Sequence, residues 1–181
     1  MTTDDPRYGC VIADPPWEYK NTAARGAVVN HYETMSIRKL TQLPVDDWTR
    51  PNAHLFLWVV DPTLEDAFKV MRAWGFTFKM TLCWAKVSKL GKIQMGLGNY
   101  VRHAHELLLF GVRGKCPPLD RGQLSFFWGP RIGHSRKPDN VHEIAEKISP
   151  GPYLEMFARR QRPGWASWGN EAPVSKEEEK R

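Results

Sequence analysis

The run Val11-Ile12-Ala13 ends against Asp14-Pro15-Pro16-Trp17, and no other stretch of the chain limits its fold so strongly. Val11 and Ile12 suit a buried strand, and the two prolines stop it because each lacks an N–H donor and fixes φ. Asp14 is thereby left at the carboxyl end of a strand, the edge on which open α/β sheets bind their ligands. Such a turn offers a carboxylate, carbonyl oxygens that no ladder claims, and a flat ring. Those groups can hold a purine and its exocyclic amine. Alternatively, Asp-Pro-Pro forms an ordinary turn and Trp17 fills the core.

The periodicity downstream predicts strands that alternate with helices. Cys10 to Ala13, His54 to Val60, Phe76 to Lys86, Glu106 to Val112, Tyr153 to Ala158 and Gly164 to Gly169 read as strands. Ile37 to Leu43 reads as a short helix. Asp61-Pro62 opens a second, which runs to about Trp74 and ends at Gly75, and Asp139 to Ile148 forms a third with Pro138 suited to its first turn. This alternation predicts a wound α/β fold with a mainly parallel sheet. Glu18 to Tyr32 is a polar, Gly-containing loop suited to a lid, and Val87 to Ala104 is an aperiodic stretch long enough to be a functional loop. Residues 1–172 are expected to form a single domain, and Pro173 to Arg181 a charged tail without fixed structure.

Composition narrows the partners. No apolar stretch in the 181 residues approaches the length of a membrane span, and the amino terminus lacks a signal design, so a cytoplasmic protein is expected. Cys10, Cys83 and Cys116 are widely spaced and read as free thiols of a reducing compartment. His103 and His105 share one face of a strand, but with no third ligand in view no metal site is expected. The formal net charge is +6, with Arg131, Arg136 and Lys137 in one cluster and Arg159, Arg160 and Arg162 in another. Basic loop ends of this kind suit a phosphate backbone.

No Gly-x-Gly-x-x-Gly is present, so a dinucleotide fingerprint supports no cofactor here. A second constellation closes the chain instead. Arg159 follows one predicted strand, and Asn170 and Glu171 follow the next, where amide and carboxylate oxygens suit ribose hydroxyls. Lys137 and Pro138 stand at a helix amino terminus, where a cation and free N–H groups suit a ligand carboxylate. Each of these residues also has an ordinary place in a solvated turn.

Taken together, Asp14-Pro15-Pro16-Trp17, Tyr32-Glu33-Thr34-Met35-Ser36, Leu55 to Val59, His105-Glu106, Lys137-Pro138-Asp139, Leu154 to Arg159 and Trp165 to Glu171 resemble the MT-A70 family of N6-adenine methyltransferases, whose members include small bacterial and phage proteins. The resemblance spans Val11 to Glu171. It implies a Rossmann-like, S-adenosylmethionine-dependent methyltransferase of permuted order, the catalytic turn preceding the main cofactor segment. On that resemblance Asp14, Pro15, Pro16 and Trp17 are the catalytic turn, and Lys137, Phe157, Arg159, Asn170 and Glu171 are cofactor residues. Tyr32, Tyr100, His105 and Glu106 are the substrate-side candidates. The segment from Arg159 to Trp165 is shorter than in the mRNA enzyme and lacks its His-Asn pair, and the zinc fingers of the eukaryotic writer are absent.

The expected activity is N6-methylation of adenine in DNA, with RNA as the alternative nucleic-acid substrate. Cytosine N4 is a weaker alternative, since Ser would be more usual in place of Asp14. A methyltransferase-like scaffold without activity is the alternative of a different class, though such a scaffold would be expected to have lost Asp14 or Trp17. A homodimer is an open possibility.

Overall fold

In the computed structural model the described residues are 5–18, 34–88, 90–96, 98, 100–130 and 136–169. They build one seven-stranded sheet, which in chain order comprises β1 (Tyr8–Ala13), β2 (Thr49–Val59), β3 (Thr77–Val87), β4 (His105–Arg113), β5 (Phe126–Pro130), β6 (Tyr153–Met156) and β7 (Trp165–Trp168). Across the sheet the order is β5-β3-β4-β2-β1-β6-β7. Only β4 runs against the others, being antiparallel to both β2 and β3, while β1–β2, β1–β6, β3–β5 and β6–β7 are parallel. The expectation of a mainly parallel, wound α/β sheet is met.

Strand β1 lies between β2 and β6, and both its faces are covered, so it reads as continuous apolar sequence rather than as alternation. Val11 and Ala13 enter one core, together with Leu40 of α1 (Ile37–Thr41), Val45 of α2 (Val45–Trp48) and Ala67, Val70 and Met71 of α3 (Leu64–Ala73). Cys10 and Ile12 enter the other, against Val141, Ile144, Ala145 and Ile148 of α4 (Asn140–Ile148). From β1 the chain passes through α1 and α2 on one face to β2. It later returns through α4 on the opposite face to β6, on the other flank of β1. The carboxyl end of β1 is therefore the point at which the strand order reverses, and a crevice opens there.

Several boundaries differ from those read in the sequence, each for a local reason. Strand β2 starts at Thr49 rather than His54, because Thr49 pairs with Tyr8 across a register shift in the ladder. Asp61-Pro62 forms a 3-10 turn (Asp61–Thr63) before α3 begins, and Gly75 leaves the helix with φ +80. Strand β6 ends at Met156 because Phe157 adopts φ 62, which no ladder accommodates. Helix α2 and strand β5 carry too few residues for a periodic signal, and both were missed. The expected lid over 18–32 (beyond Glu18) and the tail from Pro173 lie outside the described residues. Among the described residues no helix is long and apolar enough to cross a membrane.

Candidate active site

Asp14 comes directly after β1, and its N–H donates to the Met156 carbonyl of β6 at 3.5 Å. The chain then bends sharply. The Trp17 N–H donates back to the Pro15 carbonyl at 2.8 Å, and the Met35 N–H donates to the Pro16 carbonyl, also at 2.8 Å. The carbonyls of this turn were expected to be claimed by no ladder; the Pro16 carbonyl belongs to the isolated bridge between Trp17 and Met35, while the Pro15 carbonyl accepts only within its own turn, and each has a second lone pair. Trp17 is only 6% exposed, and its Nε1–H donates to the Trp58 carbonyl at 3.0 Å. Its indole is thus a wedge beneath the turn, with little face left for stacking. Of the two placements drawn from sequence Trp17 takes the core one, and from there it ties the turn to Trp58 of β2.

A chain of charges crosses the mouth of the crevice. Lys137, just before α4, places its Nζ 2.8 Å from Asp14 Oδ2 and 3.3 Å from Glu106 Oε2. Glu106 is held from its other side by Lys86 Nζ, 2.7 Å from Oε1. The two ammonium groups also stand over indoles, Lys137 Nζ at 5.3 Å from the Trp58 ring centroid and Lys86 Nζ at 5.6 Å from that of Trp84. Burial pushes the Asp14 carboxyl above its ordinary range, and the Lys137 ammonium offsets part of the rise. For Glu106 burial acts in the same direction but is outweighed by Lys137 and Lys86, so its pKa is lowered. Burial alone would lower Lys137; Asp14 and Glu106 outweigh it and raise the pKa.

Beside this cluster lies a cleft of about 220 Å³, lined by Ile12, Asp14 and Trp58 on the sheet, by Val141 and His142 of α4, by Glu155, Phe157 and Arg159 at the end of β6, and by Arg136, Lys137 and Arg160. Glu155 pairs in register with Ile12, so its side chain shares the α4 face of the sheet. His142 Nε2 lies 3.0 Å from Glu155 Oε2. Phe157 turns the chain away in the left-handed region, a conformation that costs a non-glycine residue about 1–2 kcal/mol. Gly169 passes so close that a Cβ there would meet Phe157 Cα at 2.9 Å. A non-glycine residue held in this way beside a cleft is the kind of strain found at ligand sites.

Asp14, Lys137, Glu106, Phe157 and Arg159 are thus the sequence candidates that the structure brings together around one cleft or its charge network. His105 does not join them. Successive strand residues face opposite sides, so His105 lies across the sheet from Glu106, where its ring stacks on His103 at 6.4 Å. Tyr100 is fully exposed in the loop before β4. Tyr32, Asn170 and Glu171 lie outside the described residues. Glu155, His142 and Lys86 were missed in the sequence. A signal for Glu155 was present, as a carboxylate inside the otherwise apolar stretch Tyr153-Leu154-Glu155-Met156.

The MT-A70 family model matches residues 8–171. Among similar proteins, the human N(6)-adenine-specific methyltransferase METTL4 is 28% identical over 179 residues, 91% of this chain and 37% of that protein. The human N(6)-adenosine-methyltransferase catalytic subunit METTL3 is 28% identical over 171 residues, covering 91% of this chain and 28% of its own length. The Type II methyltransferase M.MunI of Mycoplasma sp is 27% identical over 192 residues, 94% of this chain and 80% of that protein. The chain therefore spans about a third of the length of the METTL4 relatives. With its aspartate turn at the strand-order reversal and the family model matched across the whole sheet, the chain belongs to the MT-A70 family.

Proposed function

We propose that this protein is an S-adenosylmethionine-dependent N6-adenine methyltransferase acting on DNA. The carrying observation is the Asp14 carboxylate, presented at the end of β1 on a turn clamped by Trp17 and held 2.8 Å from the Lys137 ammonium at the mouth of the cleft. The choice of DNA follows the compact Type II relative, 80% of which is covered, against 28% for the adenosine methyltransferase METTL3.

The chemistry of the donor set fits the cofactor. Lys137 offers a cation for its carboxylate, Glu155 a carboxylate for its ribose hydroxyls, and Ile12, Val141 and Phe157 apolar surface. Arg159, with Asn170 and Glu171 from the final segment, would complete the holding groups. When bound, S-adenosylmethionine supplies an electrophilic methyl group on a cationic sulfur.

Adenine's amino nitrogen is a poor nucleophile because its lone pair is delocalised into the ring. Asp14 Oδ2 accepts one amine hydrogen, and the free lone pair of the Pro15 carbonyl accepts the other. The nitrogen can then pyramidalise and aim its lone pair, which is catalysis by orientation and electrostatics. Asp14 takes up the proton that the nitrogen sheds after methylation and passes it to solvent. Lys137, which in this structure is divided between Asp14 and Glu106, would also be the residue to hold the cofactor's carboxylate, a third anion. Lys137 so engaged would leave Asp14 free for the amine. Glu106 and Lys86 keep the ammonium in place during that exchange. Stacking on the extruded base falls to the exposed Tyr100 rather than to the buried Trp17, and Tyr32 is the second candidate from sequence.

Matched DNA and RNA oligonucleotides methylated side by side test this reading. Faster transfer to the DNA strand is expected; preference for unstructured RNA would replace the substrate and keep the chemistry.

A further inference from the structure

We propose that His142 is a positioning residue that fixes the Glu155 carboxylate for the cofactor's ribose diol, a role that rests on the cofactor reading of the cleft. His142 occupies the inner face of α4, where its neighbours Val141, Ile144, Ala145 and Ile148 are all apolar. An imidazole is out of place there on packing grounds alone. The residue is 4% exposed, its ring meets Trp165 edge-on at 4.9 Å and 86°, and its Nδ1 is buried with no hydrogen-bond partner among the described residues.

That orphaned nitrogen settles the tautomer. A hydrogen on Nδ1 would be buried without an acceptor, which is the costlier way to leave a polar atom unpaired, so the hydrogen sits on Nε2 and is donated to Glu155 Oε2 at 3.0 Å. The bond restrains a side chain with three rotatable bonds, which would otherwise lose its rotamer freedom only when ligand binds. An ionised carboxylate accepts up to about four hydrogen bonds, and His142 takes one site only. Both groups line the cleft, and Glu155 sits beside Ile12, two residues before Asp14 on the adjacent strand. The imidazole thus presents a carboxylate already aimed into the cleft.

Isothermal titration calorimetry with S-adenosylhomocysteine and with its 2′,3′-dideoxy analogue tests the assignment on wild type, His142→Phe and His142→Gln. His142→Phe keeps the ring against Trp165 and removes the donor; it should weaken S-adenosylhomocysteine about tenfold and leave the dideoxy analogue unchanged. His142→Gln, which restores an N–H at similar reach, should recover most of the loss. In turnover the phenylalanine variant should raise the KM for cofactor with kcat unaltered. His142→Leu carries the same comparison if the phenylalanine variant does not fold. The proposal is overturned if the variants weaken both ligands equally, or if the effects of His142→Phe and Glu155→Gln simply add. Folded wild type that binds neither ligand would instead remove the cofactor reading itself. Wild type that binds both equally well would remove only the role of the diol, and His142 with it.

Discussion

Asp14 and Glu155 are two carboxylates on adjacent strands of one cleft, and they are held in opposite ways. Asp14 is gripped by Lys137, a flexible side chain that is also bonded to Glu106. Glu155 is gripped by a ring locked inside the α4 core with no second partner among the described residues. A shared lysine can be drawn away by another anion, whereas a buried imidazole cannot follow a ligand. The first arrangement suits a group that must change partners during a reaction, and the second suits one that must stay still. One fold thus builds a releasable acceptor and a fixed one from the same residue chemistry.

The contrast breaks most visibly at Asp14. Asp14→Ala should cut methyl transfer by about a hundredfold to a thousandfold, the scale of losing one preorganised electrostatic contact at a reacting centre. Cofactor affinity should not fall, since the substitution removes a competitor for Lys137; a variant that loses cofactor binding together with its fold would make Asp14 structural. Trp17→Ala should cost about 3–5 kcal/mol in urea unfolding, because it deletes a buried indole and leaves the Trp58 carbonyl unpaired. Glu155→Gln should weaken S-adenosylhomocysteine by about tenfold, loosening the fixed carboxylate and not the releasable one.

The smallest effect lies in the pH profile, and its sign separates the two arrangements. Asp14 must be ionised to accept the amine hydrogens, and its pKa is raised, so kcat/KM should climb with pH through a midpoint above 3.8. Glu106 adds to that rise and Lys137 opposes it, so Glu106→Gln should move the midpoint down and Lys137→Met should move it up. A midpoint indifferent to both would place the titrating group elsewhere. Glu106, whose pKa is lowered, contributes stability that is present above its ordinary 4.5 and lost as pH falls through the lower folded value.

Much of this could be read along the chain, and the omissions have physical causes. Strand β1 and the Asp14 turn were legible because a doubly covered strand is continuous in its apolar residues and two prolines mark its end. Lys137 was legible from its place before a helix, but not its partner: an ion pair between residues 123 apart in sequence leaves no local trace. His142 and Glu155 are closer in sequence, but they stand on a helix and the strand after it, and only the packing of α4 on the sheet makes them partners. For Trp17 the sequence left two placements open, a ring facing a ligand and a ring in the core, and the structure buries it. Sequence places an aromatic ring at a turn but does not say which side of the backbone it takes.

The most direct measurement is incubation of wild type and Asp14→Asn with methyl-labelled S-adenosylmethionine and duplex or single-stranded DNA, followed by nucleoside analysis. Label is expected as N6-methyl-2′-deoxyadenosine from the wild type and reduced about a hundredfold or more in the asparagine variant, which keeps the size of the side chain and should still bind cofactor. Equal labelling by both proteins, or label on cytosine, would contradict the role given to the Asp14 carboxylate.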